Sequence, residues 1–228
     1  MINAATLALS QVFSPPFRTV LWKSIGLTIA LLVALWFGMQ ALLGIFVVLP
    51  FGWLETALGV VTGLGMFVGL GFLIGPVTSL FAGLFLDDIA LEVEQSHYDR
   101  DRPGEAMPIA EAVWTALKFF GVVVVVNFIA LLLVLLPGIN IAIFFVANGY
   151  LLGREFFEMA ARRFHSAEEV RDLRNRHSGS IFLAGLMIAG VLAVPILNLL
   201  TPLFATALMV HVHKTLTGSK PRAALAER

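Results

Sequence analysis

The chain has 228 residues, 59% of them hydrophobic and 13% charged, with fifteen Lys and Arg against fifteen Asp and Glu and a formal net charge of zero. That balance argues against a nucleic-acid partner and against a broadly basic membrane-surface protein. With no cysteine, disulfide, metal-thiolate and thiol redox chemistry are absent as well.

Residues 1–13 carry no positive region and no small-residue cleavage pattern, so they are expected to stay in the mature protein. Four stretches then follow with no Asp, Glu, Lys, Arg or His: 24–54, 56–86, 119–153 and 178–210, of 31, 31, 35 and 33 residues. About 20 apolar residues cross a bilayer as a helix. Lipid cannot satisfy free backbone groups, and the alternation of a membrane barrel is missing. The sequence therefore predicts an all-α integral membrane protein with a single membrane domain over 1–228.

The first span is expected over 24–54 and the second over 56–86, with a cytoplasmic helical extension to about 98. Only Glu55 separates them, in Pro50-Phe51-Gly52-Trp53-Leu54-Glu55, whose Pro, Gly and interfacial Trp suit a turn at the membrane surface. Lys and Arg fall in 18–23, 100–118, 154–176 and 214–228. Because cytoplasmic loops hold the excess of Lys and Arg, the N-terminus is expected inside, the Glu55 turn outside, and residue 87 onward inside again.

The third and fourth stretches are flanked by basic residues at both ends, Lys118 and Arg154 around one, Arg176 and Lys214 around the other. A single crossing would send one flank to the wrong side. Pro137 and Pro195 divide the stretches into halves of 16 to 18 residues, each reaching about 25 Å against a hydrocarbon core of about 30 Å. Both are expected to be re-entrant, hemi-penetrating helical hairpins, over 119–153 and 178–210. Their tips would be Pro137, Gly138 and Asn140 in the first and Pro195 and Asn198 in the second, each Asn being able to cap the next helix. Thr201-Pro202 is a further helix start, Pro137 to Asn140 overlays Pro195 to Asn198 at an offset of 58, and 214–228 reads as a flexible tail.

In 56–75, Gly59, Gly63, Gly65, Gly69, Gly71 and Gly75 form three small-xxx-small pairs, open to helix packing or to lining a pore with backbone, and Gly75-Pro76 should kink the helix. Ser166-Ala167-Glu168-Glu169 fits a capping box. Asp87, Asp88, Glu92 and Glu94 stand where the second span leaves the membrane. Arg154, Glu155, Glu158, Arg162 and Arg163 stand just beyond the third stretch. An ion-pair network that gates a vestibule is the expectation. His211 and His213 are two apart and point to different sides of a helix, a poor metal arrangement. No Walker loop, dinucleotide fingerprint, zinc-protease pair or nucleophile elbow occurs, so neither ATP-driven transport nor hydrolysis has support, and no catalytic residue, metal or cofactor is assigned. In Ser14-Pro15-Pro16-Phe17-Arg18-Thr19, helix-opening N–H groups beside a guanidinium could gather an anion. Snorkelling to lipid phosphate is the plain alternative for Arg18.

The order of these parts resembles the CysZ sulfate permease family, a branch of the etoposide-induced-protein-like membrane superfamily. Four segments carry the likeness: Ser14-Pro15-Pro16-Phe17-Arg18-Thr19-Val20, Phe85-Leu86-Asp87-Asp88-Ile89-Ala90-Leu91-Glu92-Val93-Glu94, Tyr150-Leu151-Leu152-Gly153-Arg154-Glu155-Phe156, and Val194-Pro195-Ile196-Leu197-Asn198-Leu199-Leu200-Thr201-Pro202. The resemblance implies a bacterial inner-membrane, homo-oligomeric permease that takes up sulfate without ATP for cysteine synthesis. It also implies two long spans, two hemi-penetrating hairpins, and sulfate held at the loop before the first span. The family loop reads Pro-Gly-aliphatic-Arg-Arg. Here Phe17, Arg18 and Thr19 are its matching anion positions, but Pro16 replaces the glycine and has no N–H, and Thr19 replaces the second arginine. Binding at this loop should be weaker, or completed by Lys23 or by another subunit. The rival readings are a non-transporting membrane scaffold or assembly factor and a channel for another anion.

Overall fold

The computed structural model describes residues 2–46, 52, 59–65, 67–68, 77–78, 81, 84–108, 110–111, 114, 121–122, 125, 140–219 and 221. All regular structure among them is helical. The chain forms two compact units, one of residues 1–18 and 85–228 and one of residues 19–84. The Glu55 turn, most of the second span, the first half of the third stretch with Pro137 and Gly138, and the end of the tail lie outside the described residues.

Helix α1 (Ile2–Val12) stops where Pro15 and Pro16 follow, since neither can donate to a preceding turn, and helix α2 (Pro15–Phe46) starts on those same prolines. Residues Pro15–Leu42 make the one described helix long and apolar enough to cross a membrane. Its exterior is oily: Trp22, Leu27, Ile29, Val33, Leu35 and Phe37 are all exposed. Within the second unit the buried positions recur every fourth residue, at Val20, Ser24, Thr28 and Leu32. The hydroxyls of Ser24 and Thr28 donate back to the carbonyls of Val20 and Ser24, and Thr78 Oγ1 donates to Thr28 Oγ1 at 3.0 Å. An apolar medium leaves such hydroxyls no other partner, so they bond along their own helix or to a neighbour.

In the first unit, helix α3 (Leu86–His97) begins afresh after a turn at 84–85, rather than running on unbroken from the residues before it. Helix α4 (Asn140–Arg162) passes without a break from the apolar stretch into the charged segment. Helix α5 (Ala167–Arg176) carries the reciprocal cap its sequence predicts: Ser166 N–H donates to Glu169 Oε2 at 2.8 Å and Glu169 N–H to Ser166 Oγ at 3.4 Å. Helix α6 (Ser178–Leu192) ends because Val194, held extended by the following proline, cannot continue it. A short turn of helix, α7 (Pro195–Asn198), leads to helix α8 (Thr201–Leu216).

Asn198 closes α7 instead of capping α8: Leu200 precedes α8 with no side-chain cap, and Pro202 in the first turn has no N–H that needs one. The tail also begins later than Lys214. That residue is buried inside α8, which ends at a Schellman turn with Gly218 at φ +87°, Ser219 N–H donating to Lys214 C=O at 2.9 Å and Gly218 N–H to Thr215 C=O at 3.3 Å.

Every residue from Thr201 to Lys214 is buried. Helix α8 is therefore the axis of the unit, packed by α1, α3, α4 and α6. A helix buried on all sides has no face for water, and its apolar residues are stable only when enclosed.

The tightest approach is between α4 and α6. A Cβ at Gly185 would lie 1.9 Å from the carbonyl oxygen of Gly149, and one at Gly153 would lie 2.7 Å from that of Ile181. Close packing through glycine thus occurs at Gly149-xxx-Gly153 and Gly185. At Gly59, Gly63 and Gly65, by contrast, an added Cβ meets none of the described residues within 4 Å.

Candidate functional site

The charged residues of the first unit gather around the C-terminal part of α8. Arg163, just past α4, is the hub. Its Nε donates to Glu94 Oε1 at 2.8 Å and its Nη2 to Glu94 Oε2 at 3.3 Å, a two-pronged contact with a carboxylate. Nη1 donates to Asp87 Oδ1 at 2.6 Å, and Nη2 also to the Gly104 carbonyl at 3.2 Å. Gly104 N–H in turn donates to Glu94 Oε2 at 2.8 Å. The Arg163 and Glu94 side chains are 3% and 2% exposed. Burial works against the guanidinium charge, but the bonds and charges of Glu94 and then Asp87 more than offset it, and the group is held more firmly protonated than usual.

Gly104 is required at this point. A Cβ there would lie 2.7 Å from Arg163 Cβ and 2.9 Å from the Phe164 ring. The 102–105 loop can therefore close over the pair only through a residue without a side chain.

Beside this clamp a cleft of about 610 Å³ is lined in part by Arg102, Glu105, Glu111, Arg162, Arg163 and His165. Arg162 pairs with Glu111 and Arg102 with Glu105. Lys214 Nζ donates to Asp101 Oδ2 at 2.9 Å and lies 4.2 Å from the Phe164 ring centroid. The Lys214 bond holds the Asp101 carboxyl below its ordinary range. Arg174 donates to Glu158 Oε2 at 2.9 Å.

A second polar cluster ties α1, α3 and α8 together. Gln11 Nε2 donates to His97 Nδ1 at 2.8 Å, and Gln11 Oε1 lies 2.9 Å from His211 Nε2. An amide oxygen only accepts, so His211 carries its proton on Nε2. Its Nδ1 then accepts from Tyr98 O–H at 2.9 Å. His213 faces elsewhere, stacked on Phe164 at 5.1 Å and edge-on to Phe157 and His165, with neither ring nitrogen hydrogen-bonded. The two histidines sit in different neighbourhoods, as their spacing predicts. Among the described residues no three His, Asp or Glu converge on a metal position.

The expected site residues are distributed unevenly. Asp87 and Glu94 meet on Arg163. Asp88 is exposed and Glu92 half-buried, and neither reaches Arg163. Arg154 and Glu155, the expected basic and acidic members from the start of the charged segment, do not join the clamp. The partner is Arg163, nine residues beyond Arg154, because α4 must run to its end before its chain reaches α3.

The Phe17 side chain is 1% exposed and serves as an apolar anchor. Arg18 and Thr19 are exposed at the start of α2, and Lys23 is exposed five residues beyond Arg18, a spacing that does not pair side chains on a helix. The Arg18 N–H donates to Ser14 C=O at 3.0 Å, and Pro15 and Pro16 have none, so Phe17 alone has an N–H to offer at this opening. The expected cradle of several N–H groups is thus reduced to a guanidinium with one backbone donor at most. Asn140 opens α4, while Pro195 and Asn198 bound α7.

Sequence reasoning placed Arg163 in the expected ion-pair network but not at its centre, and it missed the link from Gln11 to His211 and the glycine crossing. Of those two, only the crossing left a legible mark, the Gly149-xxx-Gly153 spacing.

Residues 4–202 match the family described as sulfate transporter CysZ/etoposide-induced protein 2.4. The chain belongs to that family. Comparison with curated proteins and with solved structures returns no match. The helix α1 from its third residue, α2 to α7 and the opening of α8 fall within the matched residues, as do Arg163, Glu94, Asp87 and the glycine crossing. Membership of a transporter-type family agrees with the long apolar helix at Pro15–Leu42: this is a membrane protein of transporter type.

Proposed function

We propose that the protein is a sulfate permease of the bacterial inner membrane, passing sulfate without ATP into a cell that uses it for cysteine synthesis. The observation that carries this reading is the family match over residues 4–202. The N-terminus is cytoplasmic and the chain crosses more than once, with 119–153 and 178–210 dipping in and returning. This follows from the Lys and Arg that flank both stretches. The protein works as a homo-oligomer, in which Gly59, Gly63 and Gly65, which no described residue covers, are available to a neighbouring copy. Arg18, with Thr19 and Lys23 nearby in sequence, gathers the anion electrostatically at the cytoplasmic side. The clamp of Arg163 with Glu94 and Asp87 governs opening by holding α3 to the end of α4.

One observation favours the rival scaffold. A buried ion-pair clamp and a glycine crossing are what a rigid, non-conducting membrane assembly needs. Radiolabelled sulfate flux into liposomes separates the two. A permease gives uptake that is saturable, independent of ATP and weakened by Arg18→Ala; no uptake by the wild type rejects the permease. Equal passage of chloride or phosphate would instead assign a less selective anion channel.

A further inference from the structure

A path for sulfate through charge-free segments must present hydrogen-bond donors, because carbonyl and carboxylate groups repel an anion. Five described Lys and Arg residues are buried or half-buried: Arg154, Arg162, Arg163, Arg174 and Lys214. Four of them hold a carboxylate: Arg162 on Glu111, Arg163 on Glu94 and Asp87, Arg174 on Glu158, and Lys214 on Asp101. Arg154 holds none among the described residues, and its Nε is enclosed without a hydrogen-bond partner.

The surroundings explain why. The facing position one turn on is Glu158, whose carboxylate is already taken by Arg174 at 2.9 Å. Glu155 is adjacent in sequence and so does not face Arg154 across the helix. Tyr150, one turn back, is exposed. On α4, residues 140–153 carry no Asp, Glu, Lys, Arg or His, so Arg154 is the first charge met on leaving the apolar part of that helix. A partly desolvated guanidinium without a counter-charge is unfavourable unless a ligand supplies one. Its planar fork of donors matches a tetrahedral oxyanion better than a spherical halide.

We propose that Arg154 is an oxyanion ligand of this protein, receiving sulfate through its two Nη groups at the mouth of the apolar segment of α4. The assignment rests on the sulfate-permease reading for the identity of the anion. The same chemistry could come from a lipid phosphate headgroup, and the experiment distinguishes the two.

Radiolabelled sulfate binding is measured on the full-length protein in a maltoside detergent free of lipid phosphate, and sulfate flux is measured in phosphatidylcholine liposomes. Arg154→Gln is expected to raise the half-saturating sulfate concentration about tenfold in both, the scale of one lost charge-assisted hydrogen bond. Its melting temperature without sulfate should stay at the wild-type value, a readout that a merely structural role would move. Arg154→Lys keeps the charge, loses the fork and should fall between the two. It carries the comparison if Arg154→Gln does not fold. The exposed Arg171→Gln should bind as wild type does.

Unchanged half-saturation in Arg154→Gln overturns the proposal. So does a wild type that binds no sulfate in detergent but gains, on addition of phosphatidylglycerol, a thermal stabilisation that Arg154→Gln lacks, since the site would then belong to lipid phosphate. Sulfate binding that depends on Arg154, with no flux from the wild type, upholds the site and removes the permease reading instead.

Discussion

Gly185→Ala is the sharpest perturbation the fold offers. The new methyl carbon would stand 1.9 Å from the Gly149 carbonyl oxygen, 2.8 Å from its carbon and 2.9 Å from Gly153 Cα. Ordinary contact begins near 3.4 Å, so α4 and α6 must separate by about 1.5 Å. The obstructing atoms are backbone and cannot rotate aside. The cost should therefore reach the upper end for an overpacked site, about 3 kcal/mol, against a gain of at most about 1 kcal/mol from the better helix propensity of alanine. A net loss of about 2 kcal/mol in a chain of this size lowers the melting temperature by about 4–8 °C.

The same geometry ranks the neighbours. Gly153→Ala meets the Ile181 carbonyl oxygen at 2.7 Å and should follow Gly185→Ala. Gly149→Ala meets chiefly the tip of Leu186, which can swing, and should be milder. Gly190→Ala, on the same helix with nothing within 4 Å, should be neutral or stabilising. Thermal unfolding in detergent followed by tryptophan fluorescence measures all four. A Gly185→Ala protein that melts with the wild type would refute the crossing.

Removing one partner of the Arg163–Glu94 pair should cost about 3–5 kcal/mol, because a buried charge is left unmatched, whereas Arg163→Met with Glu94→Leu should recover most of that loss. A double-mutant cycle on melting temperatures with no coupling between the two positions would contradict the clamp. His213, just beyond the fourth charge-free stretch, is held down to about 3 by burial first, then by His165 and Lys214. The unfolded chain therefore takes up the proton first. The folded state is at full strength above pH 6.5 and weakens as the pH falls from there toward about 3, by at most about 1.4 kcal/mol per pH unit for this group. His213→Phe suits a ring already stacked on Phe164 and should melt less steeply between pH 7 and 5; a variant with the wild-type slope would show that His213 is not the titrating group.

The sequence displayed most clearly what depends on local rules. The helix boundaries at Ser14-Pro15-Pro16, at Val194-Pro195 and at Thr201-Pro202, and the reciprocal cap of Ser166 with Glu169, follow from proline geometry and short-range hydrogen bonds. Partner choice was less visible because it is set by where helices end in space. Arg154 stands in the expected segment, yet Arg163 meets Glu94 and Asp87 because it lies past the end of α4. The Ser14 turn shows the same limit: Pro16 was legible as a missing donor, but the use of the Arg18 N–H by Ser14 appears only in three dimensions. The contact between Gln11 and His211 spans 200 positions and leaves no periodic trace.

That contact sets an order of events during synthesis. At about 5–20 residues per second, α1 leaves the ribosome some 10–40 s before the turn of α8 that bears His211. For that interval Ala4, Ala8, Gln11 and Val12, which are covered in the finished protein, have no mate. The amino-terminal helix must be sheltered by lipid or a chaperone until the last helix arrives, and a ribosome stalled before His211 would strand it uncovered.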